Sequence, residues 1–470
     1  MATINSALDL ISQTLEVDQS ALSIVANNVA NANTTGYTRE IPNWQENAPI
    51  EINGMPYGAG VTETGATSVR DRVLEQRLVQ QRQLASGSGA RLTALNTLQA
   101  LFTPDPGSAS STAGDIGSDL TSFFGSFSSL EANPTNNALR QQVLSTASKL
   151  AGDVSNASAS LSAQRSALDQ EAAGVTSQVN ALTSAIAQLN KEIQSASPNS
   201  DPGTLQDQRQ QDISQLSELI GINQVTTEQN GLSLTTTSGQ LLVSEGSSYQ
   251  LTTGEVSGVT HFFAGTTDIT SELARGGGKL GGYLTARDQD IPNVLSSLDQ
   301  LAYGVATAVN SQNNMGTDLA GDNGGAGNIF NQPIQVAGSA AMMSLAMTDP
   351  SHIAAAALGA GTGDNSNAAA MADLANQTIV SGQTPTNYYA QFVSELGSTV
   401  SEVQTENTAQ SASATQLQTQ RDALSSVNLN DEASSLQQFE RSYQAASEVF
   451  TILNTVMASA LNLGVQTAVS

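Results

Sequence analysis

The chain has 470 residues, 42 acidic side chains against 16 basic ones, and a formal net charge of −26. That balance excludes the basic stripes that displace counterions from nucleic acid, and equally excludes docking on anionic lipid. With no cysteine and only 4% aromatic residues, neither a disulfide framework nor a thiolate metal site is available, and thin helical packing is favoured over one thick core.

Near the N-terminus, Ile4, Leu8, Ile11, Leu15, Leu22, Val25 and Val29 recur at spacings of four and three, with Asp18 out of character. Near the C-terminus the same rhythm runs through Leu436, Phe439, Tyr443, Ala446, Phe450, Leu453, Met457 and Ala460. Such alternation puts one narrow apolar stripe on a helix, and a stripe of that width is buried against another helix. The two ends are expected to pair as a rod of about 40 Å, at ~1.5 Å per residue. Taken alone, the stripes fit an intramolecular coiled coil in a monomer as well as they fit an assembly.

Asn and Thr side chains from Asn27 to Thr35 compete for backbone hydrogen bonds, and Gly36 accepts φ > 0, so the first helix is expected to stop here. Pro42, Pro49, Pro56 and the turn-prone Asn53-Gly54 then predict loop and short strands, with Trp44 as a boundary anchor. A second helix is predicted from about Thr67 to Phe102, ended by Pro104 and Pro106. It gathers Arg70, Arg72, Arg77, Arg82 and Arg91, which read either as a solvated face or as a basic face toward acidic neighbouring subunits.

Phe123, Phe124 and Phe127 are expected to anchor a helix onto a neighbour. The clearest heptad run is Leu168, Ala172, Val175, Val179, Leu182, Ile186, Leu189 and Ile193, predicting a coiled-coil contact. The Pro- and Gly-containing segment from Ser197 to Gly203 reverses the chain, and Leu205, Ile213, Leu216 and Leu219 continue on a returning helix, giving an antiparallel helical hairpin. From Ile222 the period shifts towards two, and Asn230-Gly231 signals a two-residue β-hairpin turn, so a small β-domain is expected between helices. Gly276-Gly277-Gly278 reads as a flexible return to helix, followed by Leu284, Ile291, Leu295, Leu298, Leu301 and Val305 on one face. A glycine-rich loop at 313–328, an Ala-rich region and a long helix from Pro385 to Leu424 complete the chain before the terminal helix.

Motifs for chemistry are weak. Around Gly278-Lys279, a phosphate-binding loop requires Gly and Ser or Thr where Leu273 and Leu280 stand. Asp318, Asp322 and Asn323 lack the ordered ligand spacing of a calcium loop, so turn chemistry is the reading. His261 and His352, the two histidines, have no neighbouring ligand motif in sequence. No nucleophile, metal or cofactor signature is present, so no enzyme and no cofactor are expected. No basic segment followed by an apolar one opens the chain, and no uncharged apolar run reaches ~18 residues, so no membrane span is expected.

The segment Ala26-Asn27-Asn28-Val29-Ala30-Asn31-Ala32-Asn33-Thr34-Thr35-Gly36-Tyr37-Thr38-Arg39 resembles the signature of bacterial flagellar axial proteins, the rod, hook and hook-associated subunits. Val427-Asn428-Leu429-Asn430-Asp431-Glu432-Ala433, followed by Leu436, Phe439 and Tyr443, resembles the closing motif of the same group. Interior segments, among them Leu205-Gln206-Asp207-Gln208-Arg209, Leu280-Gly281-Gly282-Tyr283 and Arg421-Asp422, are similar to the hook-associated members in particular. Asn430 departs from that pattern, which more often has an acidic residue there.

The resemblance implies a mainly α fold with a small β insert. Its expected parts are a terminal coiled-coil inner-tube domain (1–36 plus 430–470), an elongated helical domain (37–221 plus 275–429) and an inserted β-domain (222–274). It implies a structural subunit that polymerises at the hook tip and joins hook to filament, exported without a cleaved signal peptide to the extracellular flagellum. The implied partners are copies of itself, the hook subunit, a second junction protein on the filament side and an export chaperone at the C-terminal helix. Assembly is assigned to the stripe residues Leu8, Ile11, Leu15, Leu22, Val25, Val29, Leu436, Phe439, Tyr443, Phe450, Leu453 and Met457. Another axial subunit, or a phage-fibre or coiled-coil adaptor, is the alternative.

Overall fold

The computed structural model describes residues 2–52, 55–102, 115–196, 202–226, 232–323 and 327–466. Helix α1 (Ala2–Asn31) runs to the Asn-rich stop, where Gly36 takes φ 86°. Strands β1 (Glu40–Glu46), β2 (Ile50–Ile52), β3 (Met55–Tyr57) and β4 (Val61–Ser68) follow as one long antiparallel arm, β1 on β4 and β2 on β3. Helix α2 (Arg72–Phe102) begins later than Thr67, because β4 carries the chain to Ser68 and the Asp71 carboxylate caps the N–H groups of Val73 and Leu74. Pro104 and Pro106 lie outside the described residues.

Helix α3 (Ile116–Ala132) is capped by Asp115, and the 59-residue α4 (Asn137–Ser195) by Asn136, whose side-chain Oδ1 accepts from Ala138 N and Leu139 N. Helix α5 (Gly203–Leu219) packs back against α4 as the expected hairpin. The reversal at 197–201 lies outside the described residues. Strands β5 (Ile222–Thr226), β6 (Leu232–Thr236), β7 (Leu241–Ser244) and β8 (Ser247–Ser248) form one antiparallel sheet. Strands β9 (Leu251–Val256), β10 (Val259–Ala264) and β11 (Thr267–Asp268) form a second. Strand β5 pairs with β6 up to Thr226 and Leu232, and the expected turn at Asn230-Gly231 lies outside the described residues.

Short helices α6 (Thr270–Gly276) and α7 (Gly278–Thr285) lead through a π-turn at Ala286–Asp290 into α8 (Ile291–Asn313). The Ala-rich region holds β12 (Gly316–Thr317), α9 (Ser339–Met342), β13 (Ala356–Ala357) and α10 (Ser366–Asp373). Helix α11 (Pro385–Ser425), with Thr384 as cap and Pro385 in its first turn, returns the chain to α12 (Leu429–Gln466).

Two apolar cores hold the body. In the first, Phe123 packs edge-on to Phe127 at 5.4 Å and against Phe330, while Leu98, Leu120 and Leu150 close around them. In the second, Val175, Val179 and Ile186 of α4 meet Ile213 and Leu216 of α5 together with Leu234, Val243 and Phe262 of the sheets. The heptad run is therefore not a coiled-coil seam. Its stripe is shared among α5, α7 and the β insert. Arg287, buried beneath the insert, donates to Thr260 O at 2.8 Å and bonds Asp169 and Asp288 carboxylates, fastening the second sheet to α4.

The glycines at 276–278 are the opposite of a flexible return. Gly278 takes φ 70°, and a Cβ there would stand 2.5 Å from Ile220 N. Gly87 of α2 closes the other side, since its own Cβ would lie 3.2 Å from Gly278 N. Glycine is required because three backbones cross at van der Waals distance.

Candidate assembly surface and the joint beneath it

Helices α1 and α12 pack together and run antiparallel, the last turns of α1 meeting the first turns of α12. The stripe residues are only partly covered: Leu8, Ile11, Leu15, Leu22, Leu436, Phe439, Phe450, Leu453 and Met457 are half-buried. Val25 is buried, whereas Val29 and Tyr443 are 44% and 38% exposed. Buried positions of α1 outside the predicted stripe include Val17, Ala21 and Ile24. The reason is the β arm, which lies along another face of α1 through Ser20–Glu63 and Gln13–Asn47 contacts. A helical stripe read from sequence cannot reveal a strand partner. Trp44 of the arm meets Phe439 of α12 edge-on at 5.9 Å, so it clamps the helix pair rather than a domain boundary.

Asn28 is 1% exposed and sits where the two sequence motifs meet. Its Nδ2 donates to Glu40 O at 2.8 Å and to Glu432 Oε2 at 3.1 Å. Its Oδ1 accepts from Glu40 N at 3.0 Å and from the Tyr37 hydroxyl at 2.9 Å. The side-chain amide thus pairs with Glu40 as a neighbouring strand would, and ties the start of β1 to α12. Asn27 and Asn31 bond each other on the exposed side, Asn31 Nδ2 donating to Asn27 Oδ1 at 2.9 Å, while Asn33 stays exposed. On the C-terminal side Asn428 caps α12 through Asn430 N, and Leu429 is 55% exposed.

A second buried cluster joins the helix pair to the body. Asp207 of α5 accepts Thr38 N at 2.8 Å and binds the Arg70 guanidinium. Arg421 of α11 donates to Gly36 O at 3.0 Å and to the Thr38 hydroxyl at 3.2 Å, while Arg39 N donates to Ser425 O at 2.8 Å. Glu75 lies beside them with Arg70 Nε at 3.4 Å, an ion-pair contact rather than a hydrogen bond. Burial raises its pKa, more than the nearby Arg70 and Arg421 charges lower it. The signature loop is therefore bolted to three body elements through backbone and side-chain bonds. Asp207, Glu432 and Arg421 stand at polar motif positions that do not by themselves reveal this role, and Glu75 has no sequence signal.

This geometry corrects the arginine face. Arg70 is spent on Asp207 and Glu75, Arg82 on Ser214 and Gln418, and Arg91 on Asp290 at 2.9 Å. A helix crossing α5 and α11 turns that side of α2 inward, so Arg70 and Arg91 neutralise the subunit's own carboxylates and Arg82 is held by neutral side chains. Arg72 and Arg77 alone of the cluster stay on the exposed side.

Folding also brings His352 to Asp318 and Asp322, with ligand atoms within 4.8 Å of one another. The Asp318 carboxylate already accepts Ala320 N and Asp322 N at 2.9 Å and bonds His352 Nδ1 at 2.9 Å. Its lone pairs are used by a turn. Among the described residues no helix is long and apolar enough to cross a membrane.

A sequence profile described as "Flagellar hook-associated protein FlgK helical domain" matches residues 108–330, and one described as "Flagella basal body rod protein" matches residues 12–38. The fold is similar to a solved structure titled the flagellar hook junction protein FlgK from Burkholderia pseudomallei. The TM-score is 0.65 at 19% identity, covering 75% of this chain and all of that one. Terminal helices joined through both end motifs, set on a helical body with a β insert, define a flagellar axial protein, structural rather than enzymatic. Flagellar hook-associated protein 1 of Bacillus subtilis is 28% identical over 510 residues, covering 97% of each chain. That of Salmonella typhimurium is 25% identical over 550 residues, covering 96% of this chain and 98% of the relative. Along nearly its whole length the chain is similar to flagellar hook-associated protein 1, an extracellular component of the flagellum.

Proposed function

We propose that the chain is a junction subunit that joins hook to filament by polymerising at the hook tip, with folding of its terminal helices coupled to assembly. The observation that carries this reading is the incomplete burial of the α1–α12 stripes beside two buried polar clusters. The motif segments are fixed in the subunit, while Leu8, Leu15, Leu453 and Met457 await neighbours. In this reading 1–36 with 430–470 line an inner tube, 37–221 with 275–429 surround it, and 222–274 face outward. Before export, which needs no cleaved signal peptide, a chaperone covers the apolar C-terminal helix. Hook subunits lie on one side of the junction and a second junction protein on the filament side.

The test is substitution of Leu15 or Leu453 by Asp in the full chain. A charge in the half-buried stripe removes apolar burial worth about 2 kcal/mol and adds desolvation cost. Junction occupancy on isolated hooks should be lost while α4 and α5 keep slow amide exchange. Normal occupancy of either variant overturns the mechanism.

A further inference from the structure

Two exposed apolar surfaces of the terminal region face away from every contact described so far. The first is one side of the β2–β3 tip. Ile50 pairs with Tyr57 and Glu51 with Pro56, so Ile50, Tyr57 and Met55 share one face and the acidic Glu51 the other. Ile50, Met55 and Tyr57 are 42%, 59% and 48% exposed. The second lies on α12, where Val449, Ile452 and Val456 repeat at three and four residues on an exposed face about 100° around the helix from Phe450, Leu453 and Met457. They are 41%, 60% and 47% exposed. Above them stands exposed Arg441, the single cation in the sequence of α1 and α12.

We propose that the arm tip of one copy docks on this outer face of α12 in the laterally adjacent copy. The inference rests on the self-assembling reading above and deepens it by naming the contact. Three observations support it. First, the surfaces stand at one level: Asn28 meets Glu432, so antiparallel helices place Leu8 beside residue 452 or so. The arm reaches the same level, since Asn47 bonds Gln13 and Gly60 lies against Leu10. Second, base to tip, the arm runs in the direction in which α12 runs from Arg441 to Val456, so neighbouring copies of equal orientation present matching tracks. Third, the lengths and charges match. An extended chain covers about 13 Å from Glu46 to Ile50 at ~3.3 Å per residue, and α12 covers about 12 Å from Arg441 to Val449 at ~1.5 Å per residue. Apolar tip then meets apolar stripe while Glu46 meets Arg441. The contact is head-to-tail, as a tube of like-oriented copies requires.

The chain has no cysteine, so introduced pairs report without background. Met55→Cys combined with Ile452→Cys, assembled on hooks in cells and treated with a short bis-maleimide, should give a ladder of dimers and longer oligomers. Neither single variant should. Tyr57→Cys with Val449→Cys serves as a second pair if the first fails to incorporate. Arg441→Glu and Glu46→Arg should each lower junction occupancy about tenfold, and together restore it. Normal junctions without a ladder from either pair overturn the docking while leaving the assembly reading intact, and so does self-cross-linking of a single variant. Failure of the unsubstituted chain to occupy hook tips overturns both.

Discussion

Asn28 and Glu432, 404 positions apart, are joined by a 3.1 Å hydrogen bond beneath the arm that starts at Glu40. This bond makes the two end motifs one structural unit. Asn28 supplies donors to Glu40 O and Glu432 and acceptors to Glu40 N and Tyr37, a set that no other side chain of this size offers. Asn28→Asp keeps the shape, removes both donors and sets a second carboxylate against Glu432. The expected loss is about 3 kcal/mol in the terminal unit, seen as faster amide exchange in α1 and early α12. Glu432→Gln added to it should recover part of the loss by restoring a donor, and no recovery would show that the pair is not coupled.

The joint to the body depends on Asp207. Asp207→Ala leaves Thr38 N and the Arg70 guanidinium without their carboxylate, at a cost of about 3 kcal/mol. The helix pair should then swing relative to the body. Small-angle scattering should give a larger radius of gyration while far-ultraviolet circular dichroism is unchanged. An unchanged radius would show that Arg421 alone holds the angle.

Glu75 makes the joint sensitive to pH. Its pKa is raised in the folded chain above the ordinary 4.5, chiefly by burial. The folded state therefore binds the proton more tightly than the unfolded one, and stability falls as pH rises through the window between those two values. The cost is fully present above the raised value and absent below 4.5. Glu75→Gln should raise the melting temperature at pH 7 and flatten its dependence on pH in that window. Equal pH dependence in the variant would assign the effect to another group.

Asp18 interrupts the first stripe, is 5% exposed, and its Oδ2 has no hydrogen-bond partner among the described residues. A buried carboxylate in that state costs more than a leucine in the same place. Asp18→Leu should stabilise the α1–α12 pair by about 1–2 kcal/mol, read as slower amide exchange. Faster exchange in the variant would mean that the carboxylate supports the pair.

The crossing of α2 with α7 depends on glycine at 282. A Cβ there would overlap Gly87 O and stand 2.9 Å from Ala90 Cβ and Arg91 N. Gly282→Ala should cost about 2–3 kcal/mol, a drop in melting temperature of several degrees. Gly125→Ala, with open space around its Cβ, should be stabilising by about 0.5 kcal/mol and is the control.

Elements whose signal is local or repetitive are legible in the residues alone. The 3-4 stripes mark α1 and α12, the heptad run from Leu168 marks the second half of α4, Pro385 marks the start of α11, the period-two stretch marks the β insert, and the end motifs carry the resemblance to flagellar axial proteins. Tertiary structure decided what each stripe faces. The heptads from Leu168 to Ile193 carry the same spacing whether a helix or a sheet covers them, because periodicity records which side is apolar and not the shape of the partner. The arginines of α2 appear as one basic face until α5 and α11 bring Asp207, Ser214 and Gln418 against them. Likewise Asn28 is one of several asparagines in a polar run until Glu40, Tyr37 and Glu432 converge on it. Hydrogen-bond partners drawn from distant positions leave no period in the sequence, so they become visible only when the chain closes.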